Sequence, residues 1–344
     1  MLNNMKYKLL SIRGEHLKES NIGDYIQALA SSQFLPSIDG FVNREELNSY
    51  AGEECKMIMN AWYIHNSNQW PPSDKINPLF VAVHFNSSVI DKLLSDESIA
   101  YLKKFAPIGC RDYYTVEHLK NKGVDAYFSA CMTLTLGYKY KSEVREDKCY
   151  FVDPTLKIEK SFGSLCKTFF YMMFNLRSIN IIARKYPKAQ NYIKKCLKMA
   201  VFYREYSRFF SKETLLNAEY ICQQDEYYKT NFVTDEERLS EAERLVNKYA
   251  KASLVVTSRI HCALPCLGLE TPVIFTDLAS QNMADTCRLG GLRELFTVIA
   301  WKDGELVPEF KFNGKLSIKN VPKNKDNWRV YAEHLKTICM GFMG

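Results

Sequence analysis

Residues 254–275, LVVTSRIHCALPCLGLETPVIF, restrict the fold of this chain more than any other stretch. An apolar, β-branched run predicts a buried strand, the polar Thr257-Ser258 that follows predicts a turn, and a short helical pattern leads into another apolar strand. Strand, turn, helix and strand in this order make half of a βαβ unit. The segment therefore predicts a parallel sheet with helices packed on its faces.

The start of the helix predicted in this segment carries a cation and an imidazole. With Thr257 or Ser258 as the capping residue, Arg259 and His261 fall in the first helical turn. Unpaired N–H groups and the positive end of the helix dipole favour a bound anion at such a point. Pro265 fits a short helix near its start, because proline lacks a backbone donor. Arg259 and His261 are therefore candidate catalytic residues; the alternative is a local ion pair with a capping imidazole.

Strand and helix patterns alternate along the remainder of the chain, and residues 78–85 form the continuous apolar run of a strand buried on both faces. Strands are also predicted at 7–12, 107–110, 216–221 and 253–257, and helices at 25–34, 112–122, 236–249 and 326–342. We predict an α/β fold of two Rossmann-like domains that face a central cleft, a GT-B-like arrangement. The expected parts are an N-terminal domain of residues 1–145, a C-terminal domain of residues 146–325 and a final helix of residues 326–344.

The composition indicates a globular protein in a reducing compartment. The chain has 344 residues, of which 47% are hydrophobic and 25% charged, and eleven cysteines without a CxxC pair. An odd number of cysteines in apolar patterns fits packed, reduced thiols. His261 with Cys262 and Cys266 is the nearest approach to a zinc-ligand pattern, and it is a weak one, so we predict no metal site.

The apolar segments predict neither a signal peptide nor a membrane span. The N-terminal residues have a short apolar stretch followed soon by charges, which fits a first strand. The longest apolar run, residues 168–176, is about half as long as a membrane-spanning helix. We therefore expect a cytoplasmic protein, free or peripherally bound to the inner face of the cell membrane.

The net charge of +7 is concentrated in one region of the chain. Residues 155–212 contain thirteen Lys and Arg against two Glu, a balance of +11, which leaves −4 for all other residues. Aromatic residues are interleaved with these basic residues at helical spacing. The plain interpretation is a basic helical insertion with a solvated face and an aromatic core face. Contact with an anionic membrane is the main alternative, and nucleic acid binding is the least favoured.

Two other groups of polar residues lie where apolar runs give way to helical patterns. Arg111 can form a bidentate contact with a phosphate or carboxylate, and Asp112 can cap the helix that follows it. A structural Arg–Asp pair is the alternative. Asn21, Gly23 and Asp24 precede another helix, and glycine allows the backbone to approach a ligand closely. Asn and Asp are also ordinary caps, so this second group is a weaker signal.

Asn60 and His84 end two further predicted strands, each near an aromatic residue. Amide and imidazole groups can bond to sugar hydroxyls while an aromatic ring stacks on the apolar face of the sugar, so both are candidate substrate-binding residues. A structural role is the alternative for each. GxGxxG, P-loop, GxSxG and HExxH patterns are missing from the sequence, which argues against a dinucleotide enzyme, a kinase and a serine hydrolase.

Three segments together resemble the polysaccharide pyruvyltransferase family. They are NIGD at 21–24, GCRDYYTVEHLKNKGVDAYFSACMTLTL at 109–136 and TSRIHCALPCLGLETPVIF at 257–275. The resemblance extends over most of residues 5–300, and the order and spacing of the three segments make it specific. The family often has a Gly-rich loop and an Asp-Pro pair where this chain has residues 60–62 and 129–131. We map no family pattern onto the basic insertion.

The resemblance implies that pyruvate is transferred from phosphoenolpyruvate to two hydroxyls of one sugar, forming a pyruvate ketal during synthesis of a polysaccharide or cell-surface glycan. It implies that Arg111 and Arg259 hold the phosphate and carboxylate of the donor, and that His261 acts as general acid or base. Asn21 and Asp24 would orient the acceptor, for which a lipid-linked sugar is one candidate. Neither a metal nor an organic cofactor is implied.

Within this resemblance the N-terminal domain is expected to hold the acceptor and the C-terminal domain the donor. The helix start should keep the His261 imidazole neutral, and a bound trianionic donor should restore its proton. Two alternatives stay open. One is a GT-B glycosyltransferase whose nucleotide-sugar diphosphate is bound by Arg259 and His261. The other is a non-catalytic polyanion-binding protein that uses residues 155–212.

Overall fold

The computed structural model of the protein describes residues 5–13, 20–158, 161–188, 191–278 and 286–344, in which strands and helices alternate. The described strands are β1 Lys6–Tyr7, β2 Leu9–Ser11, β3 Ser20–Asn21, β4 Phe41–Asn43, β5 Cys55–Met59, β6 Trp62–Tyr63, β7 Ile76–Phe80, β8 His84–Phe85, β9 Ile108–Cys110, β10 Ala126–Phe128, β11 Glu146–Val152, β12 Glu219–Ile221, β13 Gln224–Asp225, β14 Ala252–Thr257, β15 Val273–Asp277, β16 Thr297–Lys302 and β17 Glu305–Pro308. The described α-helices are α1 Ile22–Ser32, α2 Ile90–Leu93, α3 Asp96–Lys104, α4 Tyr113–Asn121, α5 Gly137–Tyr140, α6 Phe162–Phe174, α7 Leu176–Lys185, α8 Tyr192–Tyr206, α9 Lys212–Asn217, α10 Glu226–Asn231, α11 Asp235–Lys251, α12 Ile260–Gly268 and α13 Arg329–Met343. Short 3₁₀ helices lie at Arg44–Glu46, Ser67–Gln69, Ser87–Val89, Met132–Leu136, Cys287–Leu289 and Arg293–Leu295.

Strands of the first half of the chain pair in a doubly wound order. β4 pairs with β2, β1 with β5, and β5 with β7, and each pair is parallel. β6 pairs with β8, a bridge from Val83 to Cys110 leads to β9, and β9 pairs with β10. With residues 6–11 counted as the first strand, these pairings give the order second, first, third, fourth, fifth, sixth. In such an order the ligand crevice lies between the first and third strands, where the winding changes direction.

A six-stranded sheet in the second half repeats this order. Its strands lie in the order β12, β11, β14, β15, β16 and β17, and each neighbouring pair is parallel except β16 with β17. Leu254, Val255 and Val256 of β14 are fully buried, as their apolar run predicts. The predicted α/β fold with parallel sheets is confirmed. The switch point of this sheet lies between β11 and β14, so the residues that follow these two strands meet there.

Helix α1 connects the first half of the chain to the second. It begins after Asn21, whose side chain accepts a hydrogen bond from the Gly23 N–H at 3.1 Å. The helix packs on β2 and on Met132–Leu136 of the first half, and on α11 and α12 of the second. The short strand before it, β3, pairs antiparallel with β13. Residues 20–32 therefore lie against elements of both halves.

Two further contacts join the halves. Helix α13 packs against Met132–Leu136, and the Lys56 ammonium donates a hydrogen bond to the Phe342 carbonyl at 3.0 Å. The end of α12 also lies in direct backbone contact with the turn that leads into α5. A Cβ on Gly268 would overlap the carbonyl oxygen of Leu134, and a Cβ on Gly137 would overlap that of Gly268. Only glycine fits at these two positions without a shift of the backbone.

Three secondary-structure predictions are wrong in their boundaries. Residues 78–85 are not one strand, because the segment divides into β7 and β8 and Ala82 between them has a left-handed φ of 53°. Residues 216–221 form a strand only from Glu219, because the Ser211 hydroxyl caps α9 and accepts a hydrogen bond from the Thr214 N–H at 3.1 Å. Helix α1 begins at Ile22 rather than residue 25, because Asn21 caps it.

The basic region of residues 155–212 contributes α6, α7 and α8. Phe202, Tyr206 and Phe210 pack on Phe151 of β11, so part of its aromatic content is core, as the plain interpretation predicts. Helix α6 differs, since Thr168 is its one buried residue. Within the described ranges, no helix is both long and apolar enough to cross a bilayer.

Replacing Gly268 by alanine should destabilise the protein by about 1–3 kcal/mol or more, because the new Cβ would be forced into the Leu134 carbonyl. Gly341→Ala is the matched control, since Gly341 also lies near the end of a helix and a Cβ there meets nothing within 4 Å. Urea unfolding of the two variants and the wild type measures the difference. Equal stability of Gly268→Ala and Gly341→Ala would contradict the close packing of α12 on residues 134–137.

Candidate active site

A cleft opens at the carboxyl ends of β11, β14 and β15, beside the switch point of the six-stranded sheet. It has a volume of about 820 Å³, and its wall includes residues from both halves of the chain. The lining contains three arginines and two carboxylates, one arginine being paired with one of these carboxylates, and Arg111 lies just behind it, so the positive charge in excess favours an anionic ligand. The polar residues of the lining include Asn21, Thr155, Gln223, Ser258, Arg259, His261, Asp277, Arg288, Arg293 and Glu294.

Asp153, which follows β11, fixes the loops around this cleft. Its φ of 41° lies in the left-handed region, which is costly for a residue with a side chain. Its Oδ2 accepts hydrogen bonds from the Gln223 N–H at 2.9 Å and from Arg259 Nε at 3.0 Å. Its carbonyl accepts a hydrogen bond from the Ser258 hydroxyl at 2.6 Å. Asp153 therefore holds together the ends of three neighbouring strands, β11, β12 and β14.

Arg259 reaches the cleft with part of its side chain in solvent. In addition to its ion pair with Asp153, its Nη1 donates to Gln224 Oε1 at 3.2 Å. The side chain is 36% exposed, and an ion pair at such a position contributes little net stability. A phosphate or carboxylate in the cleft can therefore share or replace these partners.

The start of α12 differs from the sequence prediction, which had Thr257 or Ser258 as the cap. That prediction is wrong, because Arg259 itself occupies the capping position and no side chain caps the helix. The Thr257 hydroxyl instead accepts a hydrogen bond from the Arg259 N–H at 3.0 Å, and the Ser258 hydroxyl bonds to Asp153. His261 does lie in the first turn, but its φ of −82° and ψ of 19° depart from helical values.

Pro265 explains how this kinked turn is held. Proline has no N–H, so the carbonyl of His261, four residues earlier, lacks its helical donor. The Gln223 side chain supplies one, with Nε2 donating to the His261 carbonyl at 3.3 Å and to the Tyr249 hydroxyl at 3.1 Å. Gln223 thereby fixes the backbone of His261 to the loop that follows β12.

His261 and Arg111 meet from opposite halves of the chain. Arg111 Nη1 lies 3.1 Å from His261 Nε2. Because arginine only donates, Nε2 must accept, which puts the proton of the neutral imidazole on Nδ1. Burial lowers the pKa of His261 well below its ordinary value, and the nearby Arg111, Arg288 and Arg259 lower it further. The pKa of His261 is therefore lowered in the direction that the sequence predicts, although the main cause is burial rather than the helix start.

The buried charge of Arg111 has only neutral hydrogen-bond partners. Its side chain is fully buried, and within the described ranges no carboxylate forms an ion pair with it. Nη1 donates to Gln27 Oε1 at 3.2 Å as well as to His261, whereas Nε and Nη2 have no hydrogen-bond partner among the described residues. Burying a guanidinium without an anion is costly. This arrangement therefore favours the arrival of an anion.

Asp24 is linked to Arg111 through Gln27. The Gln27 Nε2 donates to Asp24 Oδ1 at 3.2 Å while its Oε1 accepts from Arg111. Burial raises the pKa of Asp24, and Arg44, Arg288 and Arg111 oppose this effect. Asp24 of the NIGD segment therefore belongs to the same hydrogen-bond network as Arg111 and His261, and the side chain of Gln27 lies between Asp24 and Arg111.

Gly23 lies directly against His261, and Asn21 lines the same cleft as His261. Asn21 lines the cleft while its side chain caps α1. A Cβ on Gly23 would lie 3.0 Å from the Cβ of His261 and 3.4 Å from its Nδ1. Because Gly23 has no side chain, the imidazole of His261 fits against its backbone. The sequence predicted that the backbone of Gly23 approaches a ligand closely, whereas in the structure it approaches His261.

Asn60 and His84 are buried and do not line the cleft. Asn60 Nδ2 donates to the Gln27 carbonyl at 2.9 Å, and its Oδ1 accepts from the Ser31 hydroxyl at 3.1 Å. His84 Nδ1 lies 2.6 Å from Asp112 Oδ2, and burial lowers the pKa of His84 despite this carboxylate. Both residues therefore support α1 and α4, which carry parts of the site. Asp112 also caps α4 as predicted, accepting from the Thr115 N–H at 2.9 Å.

Sequence reasoning missed Gln27, Asp153, Gln223 and Arg288. Gln27 has a local signal, because it lies one helical turn after Asp24 and shares its face of α1. Asp153 and Gln223 each follow a strand end, as many structural residues do, and their importance depends on contacts with distant segments. Arg288 lies in the 3₁₀ helix Cys287–Leu289, and no pattern in the sequence distinguishes it.

The model of the polysaccharide pyruvyl transferase family matches residues 21–280. The chain belongs to this family. The matched range contains α1 with Asn21, the strand end with Arg111, and the β14–α12 turn with Arg259 and His261. Curated proteins gave no match to the chain.

For this polysaccharide pyruvyl transferase family member we predict that stability falls in mild acid. Because the pKa of His261 and that of His84 are lowered on folding, the unfolded chain takes up protons below about pH 6.5 that the folded protein does not. Each imidazole should cost up to about 1.4 kcal/mol per pH unit below that point. Urea unfolding across this range, on the wild type, His261→Gln and His84→Gln, measures the effect. An unchanged pH slope in both variants would contradict the buried, neutral imidazoles.

Proposed function

We propose that the protein transfers a pyruvyl unit from phosphoenolpyruvate to two hydroxyls of one sugar, forming a pyruvate ketal. The observation that carries the proposal is the buried guanidinium of Arg111, which among the described residues is bonded only to the neutral side chains of Gln27 and His261. A buried charge without a counter-ion is stabilised when an anionic substrate binds beside it. Membership of the polysaccharide pyruvyl transferase family supports the transferred group.

The donor would bind by its charges. Phosphoenolpyruvate carries roughly three negative charges near neutral pH, two on its phosphate and one on its carboxylate. Arg259 lies partly exposed at the cleft, Arg288 lines it, and Arg111 lies directly behind His261. In this proposal Arg111 and Arg259 hold the phosphate and carboxylate, and Arg288 adds to the positive potential. Neither a metal nor an organic cofactor takes part.

His261 would move the proton in this reaction. One sugar hydroxyl attacks the enol carbon of phosphoenolpyruvate, while His261 gives a proton to the neighbouring methylene carbon, which becomes a methyl group, and takes up the proton of the attacking hydroxyl. The second hydroxyl then forms the other C–O bond as the bond from carbon to the phosphate oxygen breaks, and the proton of this hydroxyl leaves with the phosphate. The negative charge of the bound donor offsets the arginines that lower the pKa of His261, so donor binding would return a proton to the imidazole.

The acceptor would enter beside α1. Asn21 lines the cleft, and Asp24 is linked to Arg111 through Gln27, so both lie on the side of His261 that faces the first half of the chain. We infer a GT-B-like arrangement in which residues 1–145 bind the acceptor, residues 146–325 bind the donor and residues 326–344 close the fold. Asn60 and His84 then act by positioning α1 and α4. A lipid-linked sugar at the cytoplasmic face of the cell membrane is the acceptor class that we propose.

The test is phosphate release from phosphoenolpyruvate with a panel of galactose-, glucose- and N-acetylmannosamine-containing acceptors. His261→Gln and Arg259→Gln should each lower the acceptor-dependent rate by on the order of a hundredfold or more, because they remove the proton carrier and a donor-binding cation. His118→Gln is the matched control, since His118 lies on α4 and bonds to the Tyr114 carbonyl. It should keep the wild-type rate.

Two results would contradict this proposal. Phosphate release at the wild-type rate in His261→Gln would mean that His261 does not transfer a proton in the reaction. Failure to release phosphate with any acceptor, together with thermal stabilisation by a nucleotide sugar and not by phosphoenolpyruvate, would favour the glycosyltransferase alternative.

A further inference from the structure

Helix α6 has an unusual surface for a helix on the outside of a protein. Nine of its thirteen residues are Phe, Leu, Cys, Tyr or Met, yet Thr168 is its one buried residue. Phe162 is 83% exposed and Phe174 at the other end is 89% exposed. Phe169, Phe170 and Met173 between them are also exposed. A contiguous apolar surface of this kind on a folded chain indicates a contact partner.

The two helices that pack with α6 also carry exposed apolar residues. Helix α7 follows α6 after one residue and begins with the exposed Leu176, and α8, which packs on both, begins with the exposed Tyr192 and Ile193. We name the exposed apolar residues of these three helices the apolar face. Its members are Phe162, Leu165, Phe169, Phe170, Met173, Phe174, Leu176, Tyr192 and Ile193.

Charge distinguishes between the partners that could cover the apolar face. Residues 155–212 carry thirteen Lys and Arg against two Glu. At the start of α6, a hollow of about 500 Å³ is lined by Lys157, Lys167, Arg204 and Arg208, with Glu205 and Glu305 offsetting part of this charge. A second copy of the chain would bring the same positive surface against itself, which is unfavourable. An anionic partner with an apolar interior matches both features.

Length determines how α6 would meet such a partner. Thirteen residues of helix extend about 20 Å, whereas the hydrocarbon core of a bilayer is about 30 Å thick. The helix is therefore too short to span a membrane. Apolar side chains flanked by Lys and Arg are typical of a helix that lies in the plane of the headgroup region.

We propose that the apolar face, with the basic residues around it, docks this protein on an anionic lipid bilayer. The phenylalanines of α6 lie at the boundary between headgroups and acyl chains, and the basic residues contact lipid phosphates. This docking rests on the surface of the three helices and not on the proposed chemistry.

One contact connects the docking helices to the candidate active site. The Tyr206 hydroxyl at the end of α8 donates to the carbonyl of Thr155 at 3.0 Å, and Thr155 lines the cleft. The Thr155 hydroxyl also donates to the Thr276 carbonyl at 2.9 Å, at the end of β15. Helix α8, which packs on the docking helix α6, is thus bonded to the wall of the cleft. Delivery of a lipid-linked acceptor to it is a consequence that rests on the proposed function.

Vesicle flotation tests the docking. The full chain is mixed with vesicles of phosphatidylcholine alone, or of equal parts phosphatidylcholine and phosphatidylglycerol. The wild type should float with the phosphatidylglycerol vesicles, bind the neutral ones at least tenfold less, and dissociate as salt is raised. The double variant Phe162→Ser with Phe174→Ser should bind at least tenfold less than the wild type. Both side chains are mostly in solvent, so the fold should tolerate the change.

Matched controls separate docking from general effects of charge and hydrophobicity. Val144→Ser with Val330→Ser removes two exposed apolar side chains outside the apolar face, 68% and 66% exposed, and should leave flotation unchanged. Lys167→Glu should weaken flotation, whereas Lys319→Glu, on an exposed residue outside the basic region, should not.

Two results would overturn the proposal. One is the absence of flotation with phosphatidylglycerol vesicles. The other is a dimer in light scattering that Phe162→Ser with Phe174→Ser dissociates, which would assign the apolar face to a second copy. Phosphate release with a soluble acceptor, measured on the wild type and on the double variant, separates the two proposals. The double variant should lose flotation and keep release. A wild type that releases phosphate but does not float rejects docking alone, and a wild type that floats but does not release phosphate rejects the chemistry alone.

Discussion

The hydrogen bond between Arg111 and His261 is the interaction on which the rest of the site depends. It joins a strand end of the first half of the chain to the first turn of α12 in the second. It fixes the tautomer of the imidazole, and within the part of the chain that the structure describes, only neutral side chains bond to this buried guanidinium. A cation of this kind is stabilised when an anion binds, so the contact between the two halves also suits the anionic donor that we propose.

The packing around this bond explains several residues that have no chemistry of their own. Gly23 leaves the space for the imidazole, and Gln223 bonds to the carbonyl that Pro265 leaves without a donor. Asp153 holds the strand ends beside them in spite of a left-handed backbone. Their shared role is to hold His261 in one position, which the general acid or base that we propose for this residue requires.

The sequence predicted the site best where its signals were local. Arg259 and His261 were found because polar residues interrupt two apolar runs, and Arg111 because it ends another. The parallel order of the strands then brings such residues to one edge of a sheet. Gln223 and Asp153 could not be found, because their importance lies in bonds to segments far away in the chain. Nor could the sequence show that Asn60 bonds to the Gln27 carbonyl of α1, or that His84 bonds to Asp112, the cap of α4. Likewise, composition could not separate the buried aromatic residues of α8 from the exposed ones of α6.

The most direct test of this account is the pKa of His261, followed by NMR of its imidazole with and without phosphoenolpyruvate and assigned with His261→Gln. We predict a pKa below about 6.5 in the free protein, because of burial and three guanidinium groups, and a clear rise when the donor binds. A pKa that phosphoenolpyruvate leaves unchanged, or that moves only with a nucleotide sugar, would contradict the claim that this network is built to receive the trianionic donor.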